Sequence, residues 1–135
     1  MELNIRPLNE SDYDAILRGW WTDWGWEPPQ KDFLPDDGKG GIMVMKGDEY
    51  ICAGFIYTTN SKVAWVDWII SNKQYREDDR KEAISLLVET LTNICKTTGH
   101  KYSYALIKHQ SLIGTYEKLG YIKGDGYTGE MIKIL

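Results

Sequence analysis

Residues 63–107 read VAWVDWIISNKQYREDDRKEAISLLVETLTNICKTTGHKYSYALI, and the spacing of their apolar side chains changes once and then changes back. Val63–Ser71 is rich in β-branched and aromatic residues, the composition of a strand. Ile84, Leu87, Val88, Leu91, Ile94 and Cys95 then recur at helical spacing. They form a wide apolar stripe on one helix face, with Gly99 placed to end the helix in a left-handed turn. Tyr102–Ile107 returns to strand character. A strand, a helix and a strand in that order predict one parallel pairing, because a crossover is needed to run two strands the same way.

Upstream of this unit the turn residues mark an antiparallel meander. Gly41–Lys46 (GIMVMK) closes at Gly47-Asp48, and Tyr50–Thr58 (YICAGFIYT) closes at Asn60-Ser61 before Val63–Ser71. Leu3–Pro7 reads as a first strand. Ser11 reads as a helix N-cap, with Asp12 and Asp14 in the first turn, where the helix dipole favours acids. Tyr13, Ile16, Leu17, Trp20 and Trp24 follow at helical spacing until Pro28-Pro29 and the 36–41 stretch break it. Downstream, Leu112, Ile113, Tyr116 and Leu119 mark a short helix that stops at Gly120. Tyr121–Lys123 and Tyr127–Leu135 are expected to pair around Gly124-Asp125-Gly126. The predicted order is β-α-(α)-β-β-β-α-β-α-β-β. It describes one α/β domain over residues 1–135, with a mixed, mostly antiparallel sheet flanked by helices.

Composition narrows the function classes. A chain of 135 residues can bury a core unaided, and 42% hydrophobic with 27% charged residues is a globular balance. A formal charge of −4 argues against nucleic acid, since phosphate attraction needs a basic surface. Met1–Asn9 has no apolar run, and no stretch approaches the roughly 20 apolar residues of a membrane span. A cytoplasmic protein with reduced thiols is expected. Cys52 and Cys95 lie in apolar patterns without metal-ligand spacing and read as core residues.

Four features carry candidate chemistry. The helix start after Val63–Ser71 is a ready anion site, and Arg76, Arg80 and Lys81 add cations there. Glu77, Asp78, Asp79 and Glu82 allow the same segment to be a charge-balanced, solvated helix start. Asp67 is a lone acid on an apolar strand, sharing a face with Trp65, Ile69 and Ser71 by a period of two. It reads as a general base, as a carboxylate paired with Lys or Arg, or as one exposed near a strand end. Tyr116 reads as a packing residue or as a proton donor. In the cluster Trp20, Trp21, Trp24 and Trp26, the first and third continue the helix stripe. Trp21 and Trp26 fall off it and are the candidate contacts with an acceptor or a protein partner.

The run YEKLGY at residues 116–121, following HQSLIGT, resembles the C-terminal motif of the GCN5-related N-acetyltransferases. The opening IRPLNESDYDAIL is similar to that family's first strand and helix, and the element order fits throughout. The resemblance implies acetyl-CoA as co-substrate and direct acetyl transfer to a primary amine of a small molecule or peptide, with no covalent enzyme intermediate and no metal. It implies Tyr116 as the acid that protonates the departing thiolate, with Asp67 our candidate base. It implies that Trp68, Ile69, Ile70 and Ser71 present backbone groups to the pantetheine arm. The cofactor would enter where Val63–Ser71 and Tyr102–Lys108 splay apart. His109 stands where the family often has asparagine. The family's Arg/Gln-x-x-Gly-x-Gly/Ala loop is here Arg76-Glu77-Asp78-Asp79-Arg80-Lys81, with Asp79 and Lys81 in place of both glycines. Either Arg76, Arg80 and Lys81 hold the pyrophosphate with side chains, or the scaffold has become a non-catalytic module that binds a partner through its tryptophan face. The edge of the final hairpin is the expected surface for a homodimer.

Overall fold

The computed structural model describes residues 1–126 and 129–135. Five strands form one sheet in the order β1-β2-β3-β4-β5: Leu3–Pro7, Gly41–Lys46, Glu49–Thr58, Val63–Ser71 and Tyr102–Tyr104. The first three pairings are antiparallel and β4–β5 is parallel, as a strand–helix–strand unit requires. A π-helical turn at Tyr13–Leu17 runs into α1 (Arg18–Asp23), α2 spans Arg80–Thr97, and α3 spans Gln110–Lys118.

Helices cover both sheet faces. On one face Ala83, Leu87, Val88, Leu91 and Cys95 of α2 pack with Val44, Cys52, Ala64, Val66 and Tyr116. On the other, Leu17, Trp20 and Trp21 pack with Met43, Ala53, Phe55 and Ile70. Gly54 lets α2 approach, since a Cβ there would lie 2.5 Å from Ile69 Cδ1 and 2.9 Å from Leu91 Cδ1.

Two helix ends show how the sequence stops a helix. Gly120 has φ 99°, its N–H donates to the Glu117 carbonyl, and the Tyr121 N–H donates to the Tyr116 carbonyl. This Schellman arrangement brings the Tyr116 and Tyr121 rings within 4.8 Å. Gly99 ends α2 in the same way, with the His100 N–H on the Cys95 carbonyl.

Several expectations are corrected. Ser11 does not cap the first helix: its N–H and hydroxyl both donate to Asn9 Oδ1. Asp12 is not a solvated first-turn acid but is 1% exposed, because Arg6 pairs with both its carboxylate oxygens and the Asn9 N–H adds a third bond. Strand β5 ends at Tyr104, short of Ile107. Neither Tyr121–Lys123 nor residues 129–135 form a strand, so the expected final hairpin and its dimer edge are not built among the described residues; Tyr127 and Thr128 lie outside them.

Candidate active site

The period of two fails inside β4, and that failure shapes the site. Phe55 pairs with Asp67, but Ala53 pairs with Ile70, so β4 carries one extra residue in a bulge. Trp68 sits in it with φ 56°, a left-handed conformation costly for a bulky side chain. The bulge sends Ile69 to the α2 face with Ala64 and Val66, and Trp68 and Ile70 to the α1 face. Trp65, Asp67, Ile69 and Ser71 therefore do not share a face.

Just before the bulge the two parallel strands part. Strands β4 and β5 pair from Val63–Tyr102 to Trp65–Tyr104 and no further. The next groups are held by side chains. The Tyr116 hydroxyl donates to the Val66 carbonyl at 2.9 Å, and the Leu106 N–H donates to Asp67 Oδ2 at 3.2 Å. Tyr116 is 2% exposed, and burial together with the charge of Asp67 raises its pKa, so it stays a neutral phenol.

Asp67 is half-buried, and among the described residues no lysine or arginine forms an ion pair with it. Burial pushes its carboxyl above the ordinary range, against the lowering effect of the Trp68 and Leu106 N–H bonds. The alternative of a carboxylate paired with Lys or Arg is thus not what the chain builds. The Trp68 N–H is committed to Asp67 Oδ1 at 2.9 Å.

At the start of α2, Asp79 is the N-cap residue, but its side chain turns away to accept from Lys46 Nζ at 2.8 Å and the Tyr75 hydroxyl at 2.5 Å. The Lys46 bond first, then the Tyr75 bond, holds its carboxyl below the usual range. Asp79 therefore offers an anion no side-chain donor, and its charge is partly balanced by Lys46. Arg80 donates to Ser71 Oγ at 2.8 Å and lies 5.2 Å from the Trp24 ring centre. The Ser71 carbonyl accepts from Trp24 Nε1 at 2.8 Å. Arg76 and Lys81 are exposed.

The tryptophans divide differently from their helical spacing. Trp21 is 3% exposed and packs against Tyr13 and Trp68, so it is a core residue and not a contact. Trp26 is 41% exposed, stacks on Trp24 at 5.7 Å and lies 5.4 Å from the ring of His109, the residue preceding α3. A continuous series His109, Trp26, Trp24 and Arg80 thus links the N-termini of α3 and α2. Sequence reasoning placed His109 and Arg80 near a cofactor but gave Trp24 only a packing role; nothing local marks that ring's indole N–H for the Ser71 carbonyl.

No family model and no curated protein matches the sequence. Solved structures do match over nearly the whole chain. The ribosomal-protein-S18-alanine N-acetyltransferase of Escherichia coli superposes with a TM-score of 0.73 at 14% identity, over 92% of this chain and 80% of that one. The glucosamine-6-phosphate N-acetyltransferase of Arabidopsis thaliana gives 0.67 at 13% identity, over 98% and 100%. This chain has the fold of the GCN5-related N-acetyltransferases. A transcriptional regulator from Bacillus halodurans gives 0.68 at 14% identity, over 96% of this chain and all of that one. The acetyltransferase fold therefore does not by itself fix the chemistry, which rests on the site.

Proposed function

We propose that this chain is an N-acetyltransferase that moves an acetyl group from acetyl-CoA to a primary amine. The observation that carries the reading is Asp67: a half-buried carboxylate beside the parting of β4 and β5, held by two backbone N–H groups, with its pKa raised. A base tuned upward by burial is suited to take a proton near neutral pH.

The residues present fit an acyl-coenzyme A in part. Beyond Trp65 the edge of β4 is no longer paired with β5, which leaves backbone groups for an amide-bearing arm. Arg76 and Lys81 supply exposed cations at the start of α2, whose free N–H groups favour phosphate. The thioester supplies the acetyl group. Asp67 removes one proton from the ammonium of the acceptor, directly or through water, and freed nitrogen forms the C–N bond as the C–S bond breaks. The second proton lost by nitrogen ends on the thiolate. Tyr116 steadies that sulfur as a hydrogen-bond donor once its one O–H turns from the Val66 carbonyl. Full transfer from a phenol above about 10 to a thiolate whose thiol lies near about 8.5 is uphill by roughly 2 kcal/mol or more.

The competing reading, a partner-binding module built on the tryptophan face, draws less support. Trp20 and Trp21 are buried and Trp24 is half-buried, which leaves Trp26 as the exposed member of the cluster. The deciding experiment is calorimetric titration with acetyl-CoA, using desulfo-coenzyme A as the non-reactive control. Saturable micromolar binding of both, followed by thiol release on adding amines, is expected. No binding at millimolar concentration would overturn the reading.

A further inference from the structure

Three strands present one aromatic side chain each in a single row. Tyr57 of β3 pairs with Trp65 of β4, which pairs with Tyr104 of β5. Directly paired residues point to the same face, so the three rings lie side by side on the α1 face. The Trp65 and Tyr104 rings are 4.4 Å apart. The helix does not cover this end of the sheet: Tyr57 and Trp65 are half-buried and Tyr104 is 37% exposed. Asp67 lies two residues beyond Trp65 on the same face, opposite Phe55. Phe33 is 43% exposed, stands edge-on to Trp68 at 5.8 Å, and accepts from the Tyr57 hydroxyl through its carbonyl at 2.9 Å.

The row and its neighbouring acid share one electrostatic preference. Aromatic faces carry negative charge density, and Asp67 is a carboxylate. Glu130 lies close enough to act on Asp67 as a second negative charge. A carboxylate beside an aromatic row favours an ammonium on an apolar stem: the head gains from the carboxylate and the π faces, and the methylenes cover the rings. It disfavours an amine whose neighbouring group is a phosphate or a carboxylate.

We propose that the Tyr57–Trp65–Tyr104 row with Asp67 is an acceptor subsite for an alkylammonium chain, of the kind carried by a linear polyamine or a lysine side chain. This inference deepens the acetyl-transfer reading and rests on it for the fate of the bound amine, but the binding itself is separable.

The test therefore omits acetyl-CoA. Tryptophan fluorescence is followed while the whole chain is titrated with butyltrimethylammonium, which cannot be acetylated, and with its neutral carbon isostere. The expected result is saturable binding of the cation at least tenfold tighter than the isostere, and a tenfold loss in Trp65→Leu. Glu89→Gln, exposed on α2 across the opposite face of the sheet, is expected to bind as the wild type does. Equal binding of cation and isostere by the wild-type chain overturns the proposal, whether or not Trp65→Leu folds. Diaminobutane and a capped lysine amide are then compared, and the tighter of the two identifies the source of the chain. Selective cation binding without acetyl transfer would sink the enzymatic reading alone. Acetyl transfer with no preference for the cation would sink the subsite alone.

Discussion

The Tyr116 hydroxyl donates to the Val66 carbonyl at 2.9 Å, joining α3 to β4 where β5 leaves it. That bond serves the fold and takes the one proton the hydroxyl can donate, so the candidate chemistry has to draw on the same group. Tyr116→Phe would leave a buried carbonyl without its partner, at a cost of about 1–3 kcal/mol. Turnover should fall by about 10²-fold if the hydroxyl steadies the leaving sulfur. Urea melts and steady-state kinetics separate the two effects, and an unchanged kcat would leave Tyr116 only its structural role.

Asp67→Asn should remove the ascending limb of the pH–rate profile, because an amide takes no proton. The stability effect has a definite sign. A carboxyl whose folded pKa lies above its unfolded value binds its proton more tightly when folded, so its ionised form weakens the fold at higher pH. As pH falls through the folded value toward about 3.9, wild type should gain stability relative to Asp67→Asn. A gap that does not vary with pH would refute the raised carboxyl.

Asp12 works in the opposite direction. Burial pushes its carboxyl up, but the Arg6 hydrogen bonds, the Asn9 N–H and the Arg6 charge outweigh burial and leave it below the ordinary value. Its contribution is therefore present above about 3.9 and lost as pH falls through the folded value. Arg6→Met strands the carboxylate and should cost about 3 kcal/mol at pH 7, with the loss shrinking in acid. Denaturant melts at neutral and acid pH measure both.

Gly54→Ala tests the packing beneath the bulge. Its Cβ would press on Ile69 Cδ1 and Leu91 Cδ1, so those side chains, or the elements that carry them, must give. A loss of about 1–3 kcal/mol is expected from overpacking. A melt that matches wild type would show that the α2 face tolerates the methyl.

Arg76→Ala should weaken acetyl-CoA binding about tenfold, equivalent to roughly 1.4 kcal/mol, if side chains hold the pyrophosphate. Arg80→Ala should weaken it as well and also shift tryptophan fluorescence, since Arg80 lies against Trp24. Calorimetry reads the first effect and emission spectra the second. Unchanged affinity in both variants would place the phosphates elsewhere.

Much of the architecture was legible in local spacing. The four antiparallel strands, the α2 stripe and the stops at Gly99 and Gly120 follow from period, turn residues and left-handed glycines, each a property of a few neighbouring residues. The YEKLGY run doubles as a Schellman stop, so part of its resemblance to the acetyltransferase motif is plain helix-ending chemistry.

Other features were fixed only by residues distant in the chain. The bulge at Trp68 depends on how β4 meets β3, and a single added residue reverses which side chains face the core. Asp79 stands where a phosphate loop would have glycine, yet its role comes from Lys46, 33 positions away. Trp21 left the helix stripe but found cover from Tyr13 and Trp68. Asp67 could have met a cation, and two backbone N–H groups took it instead. Periodicity reports on the near neighbours along one strand or helix. Charge pairing, burial and the opening between β4 and β5 depend on which elements the finished fold brings together, and only the tertiary structure decides them.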